Sequence, residues 1–336
     1  MRNAHTDPSP KTSWHFLITL AAALGYAFAA STPAMAQNAT YPAKSVRIIV
    51  PFPAGGGADS ITRVTAQKLS DAMGQQFIVE SRAGASGNIG SEFVARSSPD
   101  GYTLLSSSST MITAAALAKV PFDVVRDFVH ISTIATSCLL IAAHPSVPAT
   151  TMKELVNIAR RKPGEISYAS SGSGTSAHML GELLRQTADV NMLHVPYKGS
   201  APIMTALLSG EVAIAMPNLA AAAPFAKSGR LKILAITCSR RDSSIPNTPT
   251  IAEAGYPEVE YLTWWGLSAP TGTPSNIVAR LNQEITKIVQ LPEVVKNLAN
   301  QGAEARGTPV DEFNNYVRSE SLRWQKVVKL GSFDKN

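Results

Sequence analysis

The sequence predicts an α/β fold. Three observations carry this: β-branched runs alternate with helix-periodic segments along most of the chain; two glycine-rich turns, 50–60 (VPFPAGGGADS) and 168–178 (YASSGSGTSAH), each join a β-like run to a helix-like run; and the C-terminal portion turns helical. Alternation of this kind argues for mainly parallel sheets flanked by helices.

The elements follow in order. Residues 45–50 form a β-branched run, after which Ile61, Val64, Leu69 and Ala72 recur at helical spacing until Gly74 ends the segment. A second strand is expected at 77–80, a small-residue turn at 82–87 (RAGASG), a helix at 88–96 and a third strand at 102–106. Further strands are expected at 139–143, 166–169, 192–195, 212–216 and 231–237, with helices at 152–160, 175–187 and 201–208 between them. After Leu267 the character changes. Pro274 opens a helix carrying Ile277, Leu281, Ile285 and Ile288, and another helix is expected over 311–330.

The first 36 residues read as an export signal. Arg2 and Lys11 precede an apolar run at 14–30, and small residues lead to Ala34-Met35-Ala36 before Gln37. The strictly apolar core is shorter than the roughly 20 residues of a membrane span. Gln37 offers no thiol for lipid attachment, so a soluble, periplasmic product is expected. The remaining 300 residues have lost Arg2, Lys11 and Asp7, which leaves 28 basic and 23 acidic residues and a net charge of +5. That length supports two domains and a large core. The modest basic excess suits small anions. No Lys/Arg run with interleaved aromatics is present, so no nucleic acid partner is expected. Cys138 and Cys238 are the only cysteines, and an exported pair either forms one disulfide or stays as two buried thiols. No metal site and no cofactor is expected.

Backbone N–H groups at a helix N-terminus lack intrahelical partners and carry partial positive charge, so a carboxylate or phosphate is their natural ligand. Two such stations in one chain suggest a clamp. In the second, Gly174, Thr175 and Ser176 would present N–H groups and hydroxyls, with Ser171 and Gly172 beside them. In the first, Phe52, Ala54, Gly55 and Gly56 would form the opposing wall. Asp59 belongs to the candidate set, but its charge complements the helix dipole and repels an anion at contact, which favours bracing of the loop over direct binding. His178 lies in the first turn of its helix, where the dipole disfavours imidazolium, so it reads as a neutral hydrogen-bonding group. Tyr197 and Lys198 end a strand beside the expected cleft. Trp264 and Trp265 read as hinge or core aromatics.

Residues 172–177 (GSGTSA) match the GxGxxG/A dinucleotide fingerprint, but the next strand ends His194-Val195-Pro196-Tyr197-Lys198, with no acid to hold a ribose. G-x-S-x-G, H-E-x-x-H, P-loop and C-x-x-C patterns are missing, and no base is placed to activate a serine.

The chain resembles the Bug-type substrate-binding receptors of tripartite tricarboxylate transporters. The resemblance rests on Tyr41-Pro42, Ile49-Val50-Pro51-Phe52 with Ala54-Gly55-Gly56, the GASGNIG segment at 84–90, Pro99-Asp100-Gly101-Tyr102, the 170–178 turn, Val195-Pro196-Tyr197-Lys198-Gly199, the PTIAEAG segment at 249–255, and Trp265-Gly266-Leu267 before Ala269-Pro270. It implies a two-lobed, type II-like periplasmic binding protein fold with two hinge crossings: lobe one from 37–134 and 264–336, lobe two from 135–263. It also implies a small organic carboxylate held between the lobes by the two glycine turns, partly through waters, and delivery to membrane transporter subunits. A monomer without catalytic residues is expected. Two alternatives stand beside it: an exported enzyme on the same fold with His178 as base, and a receptor used for signalling. Many family members carry Asp-Asn where this chain has Pro217-Asn218. Without that carboxylate no partner for an amino group is evident, so a ligand lacking a cationic centre is expected.

Overall fold

The computed structural model describes residues 41–330 together with Met1; the expected export signal lies outside the described residues. The chain lays down β1 (Val46–Val50), β2 (Phe77–Ser81), β3 (Thr103–Ser108) and β4 (Phe128–Cys138) in a first sheet. A second sheet takes β5 (Leu140–Ala143), β6 (Ser167–Ser170), β7 (Leu193–Pro196), β8 (Ile214–Ala215) and β9 (Lys232–Ile236). The chain then returns to the first sheet with β10 (Leu262–Pro270) and β11 (Glu304–Ala305). The strand orders are β11-β4-β10-β3-β1-β2 and β7-β6-β8-β5-β9.

Each sheet contains a parallel trio with the same connectivity. In the first, β1 lies between β2 and β3; in the second, β6 lies between β7 and β8. A helix follows each of these six strands: α1 (Gly57–Met73), α2 (Asn88–Ala95) and α3 (Ser109–Leu117) in the first sheet's half. In the other half, after α4 (Met152–Arg161), come α5 (Ser176–Ala188), α6 (Ser200–Ser209) and α7 (Leu219–Lys227). Strands buried on both faces read as apolar runs, and in β1 Val46, Ile48, Ile49 and Val50 are all buried. α1 buries Ile61, Ala66, Leu69 and Met73 and stops at Gly74, whose φ of 70° lets its N–H reach Ser70 O.

The other strands run antiparallel: β10 against β3 and β4, β11 against β4, and β5 against β8 and β9. Of these, β4 to β5 and β9 to β10 are the strands by which the chain passes between the sheets. Only Leu139 separates β4 from β5, and the return runs from β9 to β10. Thr237 stitches the two crossings: its N–H donates to Leu139 O (2.9 Å), its hydroxyl accepts from Leu139 N–H (3.0 Å) and donates to Tyr261 O (2.8 Å), and its carbonyl accepts from Tyr261 N–H (2.9 Å). Cys138 and Cys238, on either side of this junction, form a disulfide. Of the two states left open for the cysteines, the paired one is present.

The C-terminal helices α8 (Ser275–Ile288), α9 (Pro292–Asn300) and α10 (Val310–Leu330) cover the first sheet. Phe313, Val317 and Trp324 of α10 are buried in a core cluster that also holds Ile49 and Leu105 of the first sheet and Ile141 and Tyr168 of the second. No helix among the described residues is long and apolar enough to cross a membrane.

Candidate ligand-binding site

Where two neighbouring parallel strands send their connections to opposite sides, a crevice opens at their carboxyl ends. Both trios have such a point, and each glycine turn sits on one: residues 51–56 leave β1, and 171–175 leave β6. The carboxyl ends of β2 and β3 point the same way and deliver the 84–87 turn and the start of α3. Contacts tie these ends together. Ser86 Oγ donates to Ser173 O (2.7 Å), Ser109 Oγ and Ser176 Oγ lie 3.2 Å apart, and Thr113 Oγ1 donates to Gly174 O (2.7 Å). On its other side the 84–87 turn abuts the first station, since a Cβ on Gly87 would lie 3.3 Å from Phe52 Cζ. The N-termini of α1, α2, α3 and α5 therefore converge, and none has a side-chain cap. In contrast, α4 has a full capping box from Thr151 and Glu154, and Asn218 caps α7. Helices α6, α8 and α9 are uncapped too, so convergence is what distinguishes the four.

In the first station Ala54 and Gly55 are exposed, Phe52 and Gly56 half-buried, and Asp59 buried. Asp59 Oδ2 accepts from Gly55 N–H (2.9 Å) and from Arg63 Nε (2.9 Å), so the carboxylate braces the loop from inside the helix. Burial works against the charge, but the hydrogen bonds from Arg63 and Gly55 outweigh it and hold the carboxyl below its ordinary range. Its Oδ1 is buried without a hydrogen-bond partner among the described residues.

The second station is held more tightly. Gly172 N–H donates to Ser170 Oγ (3.1 Å), Thr175 N–H and Oγ1 both donate to Gly172 O (3.3 and 2.7 Å), and Gly174 N–H donates to His178 Nδ1 (3.0 Å). A backbone N–H can only donate, so His178 Nδ1 carries no proton and its ring is the neutral Nε2–H tautomer. Ser171 is exposed at the tip of the turn. Ser176 is buried, and its hydroxyl also accepts from Tyr261 OH (2.8 Å). Below the turn His178 lies 4.1 Å from the His194 ring, which stacks on Tyr168 at 5.0 Å and meets Ser170 Oγ at 2.6 Å. Tyr168 donates to buried Glu182, which also takes both of its oxygens to Arg185 Nη1 (2.7 and 2.8 Å). Buried polar networks of this kind rigidify what they support.

Tyr197 lies beside the turn, its N–H donating to Ser170 O (2.8 Å), but its hydroxyl donates to Glu211 (2.7 Å). Burial and that carboxylate push the phenol up to about 12. Arg82 lies 3.7 Å over the Phe93 ring and pairs with Glu80. Trp264 is buried edge-on against Phe313 in the core. Sequence reasoning passed over the 84–87 turn and the start of α3 as parts of the site. The available signal for the first was GASG between a strand and a helix, the same grammar as the two stations. A cavity of about 1120 Å³ lies elsewhere: the disulfide, Arg240, Glu304 and Arg306 line it, and none of the candidate residues does. A second, of about 560 Å³, reaches Ser173, Arg185 and His194 from behind the turn.

Two α/β sheets joined by two stitched crossings, with helix N-termini converging from both, define a two-lobed solute-binding protein. Residues 61–332 match the model of the tripartite tricarboxylate transporter family receptor. The chain belongs to that family, which places it among receptors rather than enzymes. It is 39% identical to protein BugT of Bordetella pertussis over 295 residues, 86% of this chain and 90% of that protein. Among solved structures it is similar to Rpa4515 of R. palustris with adipate (34% identity, TM-score 0.78, 86% of this chain and 97% of that one). It is also similar to MatC of Rhodopseudomonas palustris with bound malate (29%, 0.78, 86% and 100%) and to the periplasmic binding protein BugD (31%, 0.76, 86% and 98%).

Proposed function

We propose that this receptor closes its two lobes on a small organic carboxylate and delivers it to the membrane subunits of a tripartite transporter. The observation that carries the reading is the convergence of four helix N-termini without side-chain caps, three from one sheet and one from the other. Adipate and malate in the similar structures are small carboxylates of the kind such a site favours. We assign ligand contact to Phe52, Ala54, Gly55 and Gly56 of the first turn and to Ser171, Gly172, Gly174, Thr175 and Ser176 of the second, with Asp59, His178 and Tyr197 as the candidates behind them. Asp59 and His178 act chiefly by holding Gly55 and Gly174 in place.

We also assign lobe one to 37–134 and 264–336 and lobe two to 135–263, supported by the change of sheet at Leu139 and between β9 and β10. The chain acts as a periplasmic monomer after removal of residues 1–36. At 217–218, Pro217 O accepts from Leu140 N–H and the Asn218 side chain caps α7, so neither residue supplies a carboxylate for an ammonium group.

Thermal-shift and calorimetric titration with adipate, malate, benzoate and aspartate test the reading. A plain carboxylate at 100 times its Kd should stabilise the protein by about 2.7 kcal/mol. No response to any of the four would reject it, and tight aspartate binding with no response to the other three would reject a ligand without a cationic centre.

A further inference from the structure

Resting on the receptor reading above, we propose that Ser86 latches the two lobes together, and that its hydroxyl biases the protein toward closure with or without ligand. The bond from Ser86 Oγ to Ser173 O spans 87 residues and joins the turn after β2 to the turn after β6. The 84–87 turn is inserted between both stations: Gly87 abuts Phe52, and Ser86 Oγ lies 3.6 Å from where a Cβ of Gly172 would stand.

Its backbone is unusual. Gly84, Ala85, Ser86 and Gly87 have φ of 138°, 47°, 54° and 94°, four consecutive positive values of which two belong to residues with a Cβ. Such strain persists where surrounding contacts over-determine it. Here the left-handed conformation aims the serine hydroxyl at the opposite lobe.

The other two bonds that join the lobes at the site, Ser109 with Ser176 and Thr113 to Gly174 O, are buried, whereas the Ser86–Ser173 bond is partly exposed. Of these three it is the one nearest solvent, and opening of the cleft breaks it. A hydroxyl that bonds only in the closed state shifts the closed-to-open ratio by its net free energy, and a net neutral hydrogen bond corresponds to roughly three- to tenfold.

The test compares the full mature chain with Ser86→Ala, Ser86→Gly and Ser86→Asn. Ser86→Gly relieves the strain but has no donor; Ser86→Asn keeps a donor and tolerates the left-handed backbone. Small-angle scattering of the ligand-free protein and the dissociation rate of adipate are both measured. We expect Ser86→Ala and Ser86→Gly to increase the radius of gyration and to release adipate about three- to tenfold faster, and Ser86→Asn to recover towards wild type. If Ser86→Gly matches wild type in both readouts, only backbone strain matters and the latch is overturned. A lowered melting temperature in all variants with unchanged scattering overturns it as well. Scattering needs no ligand, so the two readings fail separately. Wild type that ignores adipate, malate, benzoate and aspartate while its variants expand leaves the latch standing and removes the carboxylate. Tight adipate binding with identical scattering removes the latch alone.

Discussion

The second station rests on the conformation of Gly174, and Gly174→Ala measures what that conformation is worth. The residue has a φ of 78°, where a Cβ crowds the following carbonyl at a cost of roughly 1–2 kcal/mol. The new Cβ would also stand 3.1 Å from Ala114 Cα, so the backbone of α3 must give. Together these predict a loss of about 1–3 kcal/mol. An unfolding entropy near 2.1 cal/mol/K per residue over the 290 or so described residues is about 0.6 kcal/mol/K, which converts the loss to a fall in Tm of about 2–5 °C.

Thr113→Val tests the other side of the same contact. It keeps the shape but removes the hydroxyl that donates to Gly174 O, leaving a buried carbonyl unpaired at a cost of about 1–3 kcal/mol. Because both substitutions act on one contact, the double variant should cost less than their sum by about 0.5 kcal/mol or more. Calorimetric unfolding gives the three stabilities, and titration with adipate run in parallel gives the affinities. Strict additivity, or Gly174→Ala with wild-type stability and affinity, would refute the argument that α3 and the turn impose each other's geometry.

Gly174→Pro should abolish adipate binding while Lys198→Ala changes it less than about threefold, because the proline ring demands a negative φ and removes the N–H given to His178; calorimetry on both decides between backbone and side-chain charge as the grip. His130 is buried between Ser268 Oγ and Val124 O, and burial lowers its pKa from 6.5 to about 4, so the unfolded chain takes up the proton first. Its contribution is complete above pH 6.5 and is lost as pH falls to 4, about 3 kcal/mol in all; denaturant unfolding across that window should show the slope, and His130→Gln should flatten it. Replacing Cys138 and Cys238 together with serine opens a loop of 100 residues and should cost up to about 5 kcal/mol in urea unfolding, with no further loss on adding reductant.

What the sequence revealed of the fold and what it concealed divide along physical lines. β1 with α1, and β6 with α5, were legible because a β-branched run, a glycine turn and a 3.6-residue apolar period stand in succession. β4 escaped, since His130, Ser132, Thr133, Thr136 and Ser137 make its 11 residues read as a polar loop. Those groups are buried and satisfied by residues such as Asn314, Thr308 and Ser268, more than 130 positions away, and no local pattern carries that information. α3 is short and rich in Ser, Thr and Ala, and Pro224 inside α7 argues against a helix that the Asn218 cap nevertheless starts. At the site, an acid at the start of a helix reads as a capping or bracing group, and Asp59 does accept from Gly55 N–H. The capture of Gly174 N–H by His178 was not foreseeable, because it depends on a turn geometry that only the packing of Thr113 and Ala114 against it defines.

The magnitudes explain why two stations are needed. A helix N-terminus favours an anion by roughly 0.3–1 kcal/mol, or about 2 when partly buried, and a hydrogen bond to a charged group adds about 1.5–3 kcal/mol. One turn with two such bonds therefore reaches about 3–8 kcal/mol before the costs of association and ordering are subtracted, which leaves it short of micromolar binding. Micromolar binding needs about 8 kcal/mol, so it requires the second turn to act on the same molecule. The two turns belong to separate sheets whose relation is set by Thr237, the disulfide and the Ser86 contact. On the proposed reading, affinity is a property of closure as much as of the residues that touch the ligand. On that reading a substitution at the hinge or at Ser86 acts on binding through the same equilibrium that ligand itself shifts.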